Sequence, residues 1–403
     1  MKTRYTILTI LLVFLLQPVT HARVNKVQFD FFGNKIELSV DESFLIEFPN
    51  DLTAESVRNF ALQLENSQSE SVTRALSYYR NTLNLEDWLY YQLIRKTAQQ
   101  ISPKAENYYR YTLYKWFLLV RSGYPATLRL GGQKLLFYVL CDENIYNIPY
   151  YIRDGRQFIC LNYHDYGSHI DFGTEHFTET PLPASSAGKA FSYRINRLPE
   201  LRNDTYEEKE IRFNYYQENY HFTIRLNPDV RTIFANYPVV DYASSFTIPI
   251  SRETYQSLIP LLKKNVADMT VKGGVDYLMR FTRYAFMFKP DTEKFGEEKR
   301  LSPEETLLYN ESDCEDRAAL FFYLVKEIYN LPMIVLEYPK HITIAVKFDK
   351  PVGRPIIYQG ERYSVCEPTP QRRDLKIGEM IPTLHKTPYE VVFAYQPVTR
   401  NIP

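Results

Sequence analysis

The feature that most constrains the fold is an internal similarity between the two halves of the chain. Residues 114–141 (YKWFLLVRSGYPATLRLGGQKLLFYVLC) lie over residues 320–347 (LFFYLVKEIYNLPMIVLEYPKHITIAVK) without a gap at an offset of 206, and the same offset places Cys160 on Cys366. Few residues are identical, but the apolar pattern predicts a helix and then two strands in both segments. A period this long indicates a duplicated domain, because solenoid repeats are far shorter.

The segments before this similarity also match each other. VQFDFFGNKIELSV (27–40) and IRFNYYQENYHFTIRL (211–226) both alternate apolar and polar residues around a turn, which predicts two hairpins. A helical pattern follows each hairpin, with Thr53 and Ser251 as predicted N-caps. The order in each half predicts an α+β unit in which helices pack on one side of an antiparallel sheet.

We predict four segments from these patterns. A signal peptide covers 1–22, a first repeat covers 23–170, a linker covers 171–190, and a second repeat covers 191–403. The linker contains TETPLPASSAGKA, whose glycine, serine and proline residues are typical of a connection between domains.

The first residues have the form of an export signal. Lys2 and Arg4 precede the apolar run ILTILLVFLL, and the small residues Thr20 and Ala22 predict cleavage after Ala22. The run is too short to span a membrane comfortably, and no later stretch is long enough. We therefore expect an exported, bacterial-type protein that is periplasmic or secreted, with no integral membrane segment after signal cleavage.

The charge balance and the number of cysteines limit which partners and which disulfide bonds we expect. The chain carries 48 basic and 48 acidic residues, so its charge indicates no nucleic-acid partner. The four cysteines Cys141, Cys160, Cys314 and Cys366 allow two disulfide bonds but demand none, because a small exported domain that depends on disulfides carries more cysteines per residue.

Cys314 lies in NESDCEDRAALFFYLV (310–325), at the predicted start of a buried helix. The N–H groups at a helix N-terminus favour thiolate over thiol. Asp313, Glu315 and Asp316 act in the other direction if they face the sulfur. A buried structural cysteine is the alternative, because free cysteines are usually inert.

His341 and Glu367 complete a candidate catalytic group. His341 opens the strand HITIAVKF and Glu367 closes the strand RYSVCEPT. If these strands are antiparallel neighbours, the two side chains meet at one sheet edge, facing the start of the Cys314 helix. A thiol, an imidazole that takes its proton and a carboxylate that orients the imidazole are the groups that thiol acyl transfer needs.

The stretch SDCEDRAALFFYLVKEIYNLPMIVLEYPKHITIAV, followed by RYSVCEPT, resembles the core of the transglutaminase-like superfamily of papain-like thiol enzymes. The resemblance implies that Cys314 is the nucleophile, His341 the base and Glu367 the orienting acid, with no metal or cofactor. Glutamate stands where the superfamily more usually has aspartate before Pro-Thr. The fold that the resemblance implies is two tandem transglutaminase-like repeats. The first is degenerate, because the offset of 206 places Tyr108, Leu135 and Leu161 at its triad positions.

Two functions remain open at this point. The first is an exported thiol enzyme that acts on a peptide, isopeptide or other amide bond through an acyl-enzyme on Cys314, with a protein or peptide substrate of cell-wall or host origin. The alternative is a non-catalytic binding or scaffold protein built from two such domains.

One further segment concentrates groups that bind metals. YHDYGSHIDFGTEH (163–176) contains His164, His169 and His176 together with three carboxylates, and imidazoles with carboxylates can hold zinc. The spacing fits no tight ligand motif and the segment is predicted to be a loop. We therefore expect no metal site.

Overall fold

The computed structural model describes residues 24–49, 51–180, 182, 188–289 and 299–397. The predicted signal peptide over 1–22 lies outside these residues. Below, the first half is 24–180 and the second half is 191–397.

The described residues form an α+β structure of ten α-helices and eighteen strands. The helices are α1 (Ala54–Glu65), α2 (Glu70–Thr82), α3 (Asp87–Ile101), α4 (Tyr108–Arg121), α5 (Asp229–Phe234), α6 (Tyr242–Phe246), α7 (Arg252–Asn265), α8 (Val271–Tyr284), α9 (Pro303–Leu308) and α10 (Cys314–Tyr329).

The strands of the first half are β1 (Val24–Phe31), β2 (Asn34–Asp41), β3 (Ala126–Gly131), β4 (Lys134–Leu140), β5 (Ile145–Tyr146), β6 (Tyr150–Arg153), β7 (Arg156–Cys160) and β8 (Thr178–Glu179). Those of the second half are β9 (Glu207–Tyr215), β10 (Glu218–Leu226), β11 (Val239–Val240), β12 (Met287–Phe288), β13 (Glu311–Ser312), β14 (Met333–Tyr338), β15 (His341–Val346), β16 (Ile356–Tyr358), β17 (Glu361–Cys366) and β18 (Glu390–Tyr395).

Each half contains one curled, five-stranded antiparallel sheet, and the two sheets have matching strand orders. The first has the order β6-β7-β4-β3-β8 and the second β16-β17-β15-β14-β18. A long helix directly precedes each central hairpin: α4 comes before β3 and β4, and α10 before β14 and β15. The predicted hairpins are also present as β1-β2 and β9-β10. The edge strand β8 belongs to the segment that was predicted as a linker.

The helices pack on one face of each sheet and a loop covers the other. One large apolar cluster contains residues of both halves, such as Phe117 on α4 and Phe322 on α10. A smaller cluster lies on the outer face of each sheet, one around Tyr138 and one around Tyr363. The strand pair β5-β11 also joins the halves. The two halves are therefore connected by a shared core as well as by the chain.

The hydroxyl groups of the two predicted N-cap residues have different partners. The Thr53 hydroxyl accepts the N–H of Ser56 and so caps α1. Ser251 stands at the N-cap position of α7, but its hydroxyl donates to the buried carboxylate of Glu304 at 2.7 Å.

Among the described residues, no helix is both long and apolar enough to cross a membrane.

Two loops that flank β16 and β17 approach each other through glycines. Gly353 and Gly378 both have positive φ, at +66° and +85°. A Cβ added to Gly378 would lie 2.4 Å from the carbonyl oxygen of Val352, which is backbone and cannot move aside cheaply. This close approach fixes the loop that follows Glu367.

We predict that Gly378→Ala destabilises the protein by about 2–5 kcal/mol, because it combines a left-handed backbone, which costs about 1–2 kcal/mol for alanine, with a steric overlap of about 1–3 kcal/mol. The matched control is Gly360→Ala. Gly360 has φ +81° but no atom within 4 Å of an added Cβ. Urea unfolding of both variants measures the difference, and equal losses would contradict the steric role of Gly378.

Candidate active site

Cys314 is the first residue of α10, and its neighbours explain why the helix begins there. The Asp313 carboxylate accepts the N–H groups of Glu315 and Asp316 at 2.9 and 3.2 Å. The Asp316 carboxylate accepts the N–H of Asp313 at 3.2 Å. This reciprocal capping satisfies backbone donors of the first turn. It holds Cys314 at the amino end of a helix that is buried from 316 to 325.

His341 and Glu367 are in direct contact. β15 and β17 are antiparallel neighbours, so the first residue of β15 lies near the residue that follows β17. The Nε2 atom of His341 lies 2.8 Å from Oε2 of Glu367. The second carboxylate oxygen accepts the N–H of Thr369 at 2.9 Å. Glu367 is 1% exposed, so the longer side chain of glutamate still reaches the imidazole from a fixed, buried origin.

Cys314 lies beside the first residues of β15. The backbone N–H of Ile342, the residue after His341, is close enough to the Cys314 sulfur to act on the pKa of its thiol. The Glu367 carboxylate is also close enough to act electrostatically on the thiol. The structure thus brings the start of α10, the start of β15 and the end of β17 to one place.

The surroundings raise the pKa of the Cys314 thiol well above its ordinary value. Burial is the largest cause, and the carboxylates of Asp313 and Glu315 add to it. The N–H of Ile342 acts in the opposite direction. The thiolate expected from the helix N-terminus is therefore not favoured in the resting site, because the sulfur is shielded from water and lies near negative charges.

Two buried arginines, Arg283 and Arg317, hold the backbone around this site, and neither was predicted from the sequence. Arg317 donates to the carbonyl oxygens of Arg283 and Phe286 at 2.7 and 2.9 Å, and also to those of Ser312 and Thr282. Burial lowers the pKa of Arg317 to about 10. The available signal was an arginine within an apolar helical run, CEDRAALFF. Such a residue needs buried acceptors.

Two clefts lie near this site, and His341 lines one of them. One of about 430 Å³ lies beside His341 and is walled by Tyr338, Ile381 and Leu384, with Lys340 also lining it. A second cleft, of about 600 Å³, is lined by residues of both halves: Tyr146 of the first, and Tyr242, Arg300 and Glu337 of the second, among others. Arg300 pairs with Glu315, the residue after Cys314, at 2.6 Å.

Strand registers correct the alignment of the two halves. Lys134 pairs with Gly131 as His341 pairs with Tyr338, so Lys134, and not Leu135, corresponds to His341. The pair Val139–Ile159 likewise corresponds to Val346–Ser364, which puts Asn162, and not Leu161, at the position of Glu367. The ungapped offset of 206 fails here because the true offset is 207 on β4 and 205 on β7.

The first half has no thiol or imidazole at these corresponding positions. Tyr108 opens α4 where Cys314 opens α10, and its hydroxyl accepts from Asn162 Nδ2 at 2.8 Å. It donates to Asp165 at 3.0 Å. Lys134 pairs with Glu175. Polar contacts thus occupy the place that the thiol and imidazole take in the second half.

A buried lysine lies next to this group. Lys115 on α4 is 1% exposed, and its ammonium nitrogen is 3.9 Å from the Asp165 carboxylate. Lys104 lies closer to the same carboxylate, at 2.5 Å. Burial lowers the pKa of Lys115 to about 7, although Asp165 opposes the shift.

Two carboxylates of the loop that carries His164, His169 and His176 are paired with lysines. Asp165 pairs with Lys104, and Glu175 with Lys134. Within the described ranges, no three histidine, cysteine or acidic residues are grouped to hold a metal ion. All four cysteines are free. Cys141 and Cys160 belong to different apolar clusters, on opposite faces of their sheet.

We predict that alkylation of Cys314 by iodoacetamide keeps accelerating above pH 9, without a plateau near pH 8.5. The raised thiol pKa leaves little thiolate at neutral pH. Asp313→Asn should give a rate several-fold higher at pH 8, because asparagine also caps helices but carries no charge. Peptide mass spectrometry separates Cys314 from the three buried cysteines, and N-acetylcysteine is the reference. A wild-type plateau below pH 8 would refute the raised pKa.

We predict that Lys115→Met stabilises the protein at pH 7 by about 1–4 kcal/mol. The unfolded chain binds the Lys115 proton below pH ~10.4, and the folded chain only below about 7. Wild type therefore loses stability as pH falls through this window, and the advantage of the variant grows in the same direction. Urea unfolding from pH 7 to 10 measures it against Lys96→Met, an exposed control on α3. If the difference in unfolding free energy between Lys115→Met and wild type did not change with pH, the lowered pKa of Lys115 would be contradicted.

Comparison of the chain with protein-family models, with curated proteins and with solved structures finds no match. The chemistry of the chain is therefore inferred from the site itself, from the 2.8 Å contact of His341 with Glu367 and the position of Cys314 beside Ile342.

Proposed function

We propose that this protein is a thiol enzyme that cleaves or transfers at a peptide, isopeptide or other amide bond through an acyl-enzyme on Cys314. The observation that carries the proposal is the His341–Glu367 contact of 2.8 Å at the strand edge where Cys314 also lies. On this view each half is a transglutaminase-like repeat, the first is a degenerate copy, and the second carries the chemistry. Export after loss of residues 1–22 is part of the same proposal.

In this mechanism His341 takes the thiol proton during attack. A carboxylate only accepts hydrogen bonds, so the Glu367 contact fixes the proton on Nε2 and leaves Nδ1 as the basic nitrogen. Because the Cys314 pKa is raised, the thiol is protonated at rest. Proton transfer from Sγ to Nδ1 then accompanies the bond from Sγ to the carbonyl carbon.

The remaining steps return the enzyme to its starting state. The tetrahedral oxyanion is held by the N–H of Cys314, which lies in the first helical turn where no helical carbonyl accepts it. Collapse of this intermediate breaks the C–N bond, and the imidazolium gives its proton to the leaving amine. Water or an acceptor amine, deprotonated by His341, then attacks the thioester and releases Cys314. The substrate class is a protein or peptide of cell-wall or host origin.

The alternative is a binding or scaffold protein without turnover. Two observations favour it: the thiol pKa is raised, and the first half keeps the same strand order without a thiol at the position of Cys314. The two functions differ in one property, which is whether His341 accelerates acyl transfer to Cys314.

We predict that p-nitrophenyl acetate acetylates Cys314, and that His341→Ala slows this step by about 10²–10⁴-fold, the usual contribution of a general base. Release of nitrophenol gives the rate, and peptide mass spectrometry locates the acetyl group. The matched control is His221→Ala, because His221 also pairs with a glutamate, Glu210, but on the surface. Equal rates in wild type and His341→Ala would refute the proposed enzyme and favour the scaffold function.

A further inference from the structure

Arg283, near the end of α8, connects to the candidate site through its side chain. The side chain is 1% exposed. One terminal nitrogen donates to the Asp374 carboxylate at 2.5 Å and to the carbonyl oxygen of Leu375 at 3.0 Å. The other donates to the carbonyl oxygen of Glu367 itself. A single guanidinium therefore bridges both ends of the segment from 367 to 375.

The backbone of Arg283 connects to the helix of Cys314. Its carbonyl oxygen accepts from Arg317 at 2.7 Å, and Arg317 lies less than one turn along α10 from Cys314. One residue thus touches the nucleophile's helix through its carbonyl and the orienting acid's backbone through its side chain. This arrangement spans two elements that are far apart in sequence.

The segment that Arg283 bridges has no regular structure to hold it. β17 ends at Cys366, and residues 367–375 form neither helix nor strand. Burying a guanidinium is unfavourable unless its charge and hydrogen bonds are satisfied. An apolar side chain would fill the same volume without this cost. The three acceptors from one segment indicate that the charge serves to set the path of that backbone.

We propose that Arg283 is a positioning residue, which holds the backbone of Glu367 so that its carboxylate stays against Nε2 of His341. Arg283 acts through Glu367 and does not touch the reacting atoms. The inference rests on the proposed function for its consequence in rate. Its structural content, that the state of the imidazole depends on Arg283, does not require turnover. A displacement of about 1 Å at such a contact costs about 10²-fold in rate.

Arg280 provides a matched control one turn earlier on α8. It also pairs with Asp374 and is also buried, but the structure gives it no bond to Glu367. Tyr284 donates to the same carboxylate at 2.8 Å. Arg280→Lys therefore perturbs the same ionic group without removing the bond to the orienting acid. Arg283→Lys keeps the positive charge but loses the fork that reaches Asp374 and Glu367 together.

The first measurement is the tautomer of His341, read by long-range ¹H–¹⁵N NMR with His341→Ala for assignment. We expect the Nε2–H form in wild type and in Arg280→Lys, and a mixture of both tautomers in Arg283→Lys and in Glu367→Gln. A merely structural role lowers the unfolding temperature without changing the tautomer of the folded protein. A wild-type tautomer in folded Arg283→Lys would overturn the proposal.

The second measurement is the rate of Cys314 acetylation. We expect Arg283→Lys to lose at least tenfold in the acetylation rate at saturating ester with KM unchanged, and Arg280→Lys to lose less than threefold. The double variant Arg283→Lys/Glu367→Gln should lose no more than Glu367→Gln alone, because both changes remove one function. Multiplying losses would overturn the proposal. If wild type is not acetylated but its tautomer depends on Arg283, the positioning role holds and the proposed function fails.

Discussion

The second half of the protein depends on the burial of a positive charge beneath the helix that carries Cys314. Arg317 is fully buried, and its guanidinium is satisfied largely by main-chain carbonyl oxygens from the end of α8 and from β13. Carbonyl acceptors are fixed by the backbone, so they set where α10 lies relative to α8. Arg317 donates to the carbonyl oxygen of Arg283, and the Arg283 side chain donates to the carbonyl oxygen of Glu367. The thiol and the acid are therefore positioned by two buried arginines, neither of which lines the two clefts near the site.

Electrostatics at the start of α10 serve two purposes that oppose each other. Asp313 and Asp316 cap the helix and give it a definite first residue. The Asp313 and Glu315 carboxylates also raise the pKa of the adjacent thiol. A helix start that is well capped by acids therefore holds a protonated cysteine. Any nucleophilic chemistry here must remove that proton during the reaction, which gives the imidazole of His341 its importance.

Local patterns predicted much of the fold and the meeting of His341 with Glu367, but not the strand register of the first half or the contacts of the buried arginines. Alternating residues predicted both hairpins, and the apolar run after Cys314 predicted α10. The face of the sheet on which each side chain lies was harder to predict, because a one-residue change of register moves every side chain to the other face. For that reason Lys134 and Asn162 could not be found from an ungapped offset. The Arg283–Glu367 bond joins residues 84 positions apart, and no local pattern encodes such a contact.

The first half has the same strand order as the second half, but no thiol or imidazole at the positions that correspond to Cys314 and His341. Tyr108 and Asn162 stand at the positions of the thiol and the acid, and the Tyr108 hydroxyl forms hydrogen bonds with Asn162 and Asp165. Its sheet nonetheless shares the large apolar cluster with the second half. Tyr146 lines the same cleft as Arg300, which holds Glu315 beside Cys314. Removing the first half would expose that core and open this cleft, so the second half needs the first for its packing, whether or not the first half binds a ligand of its own.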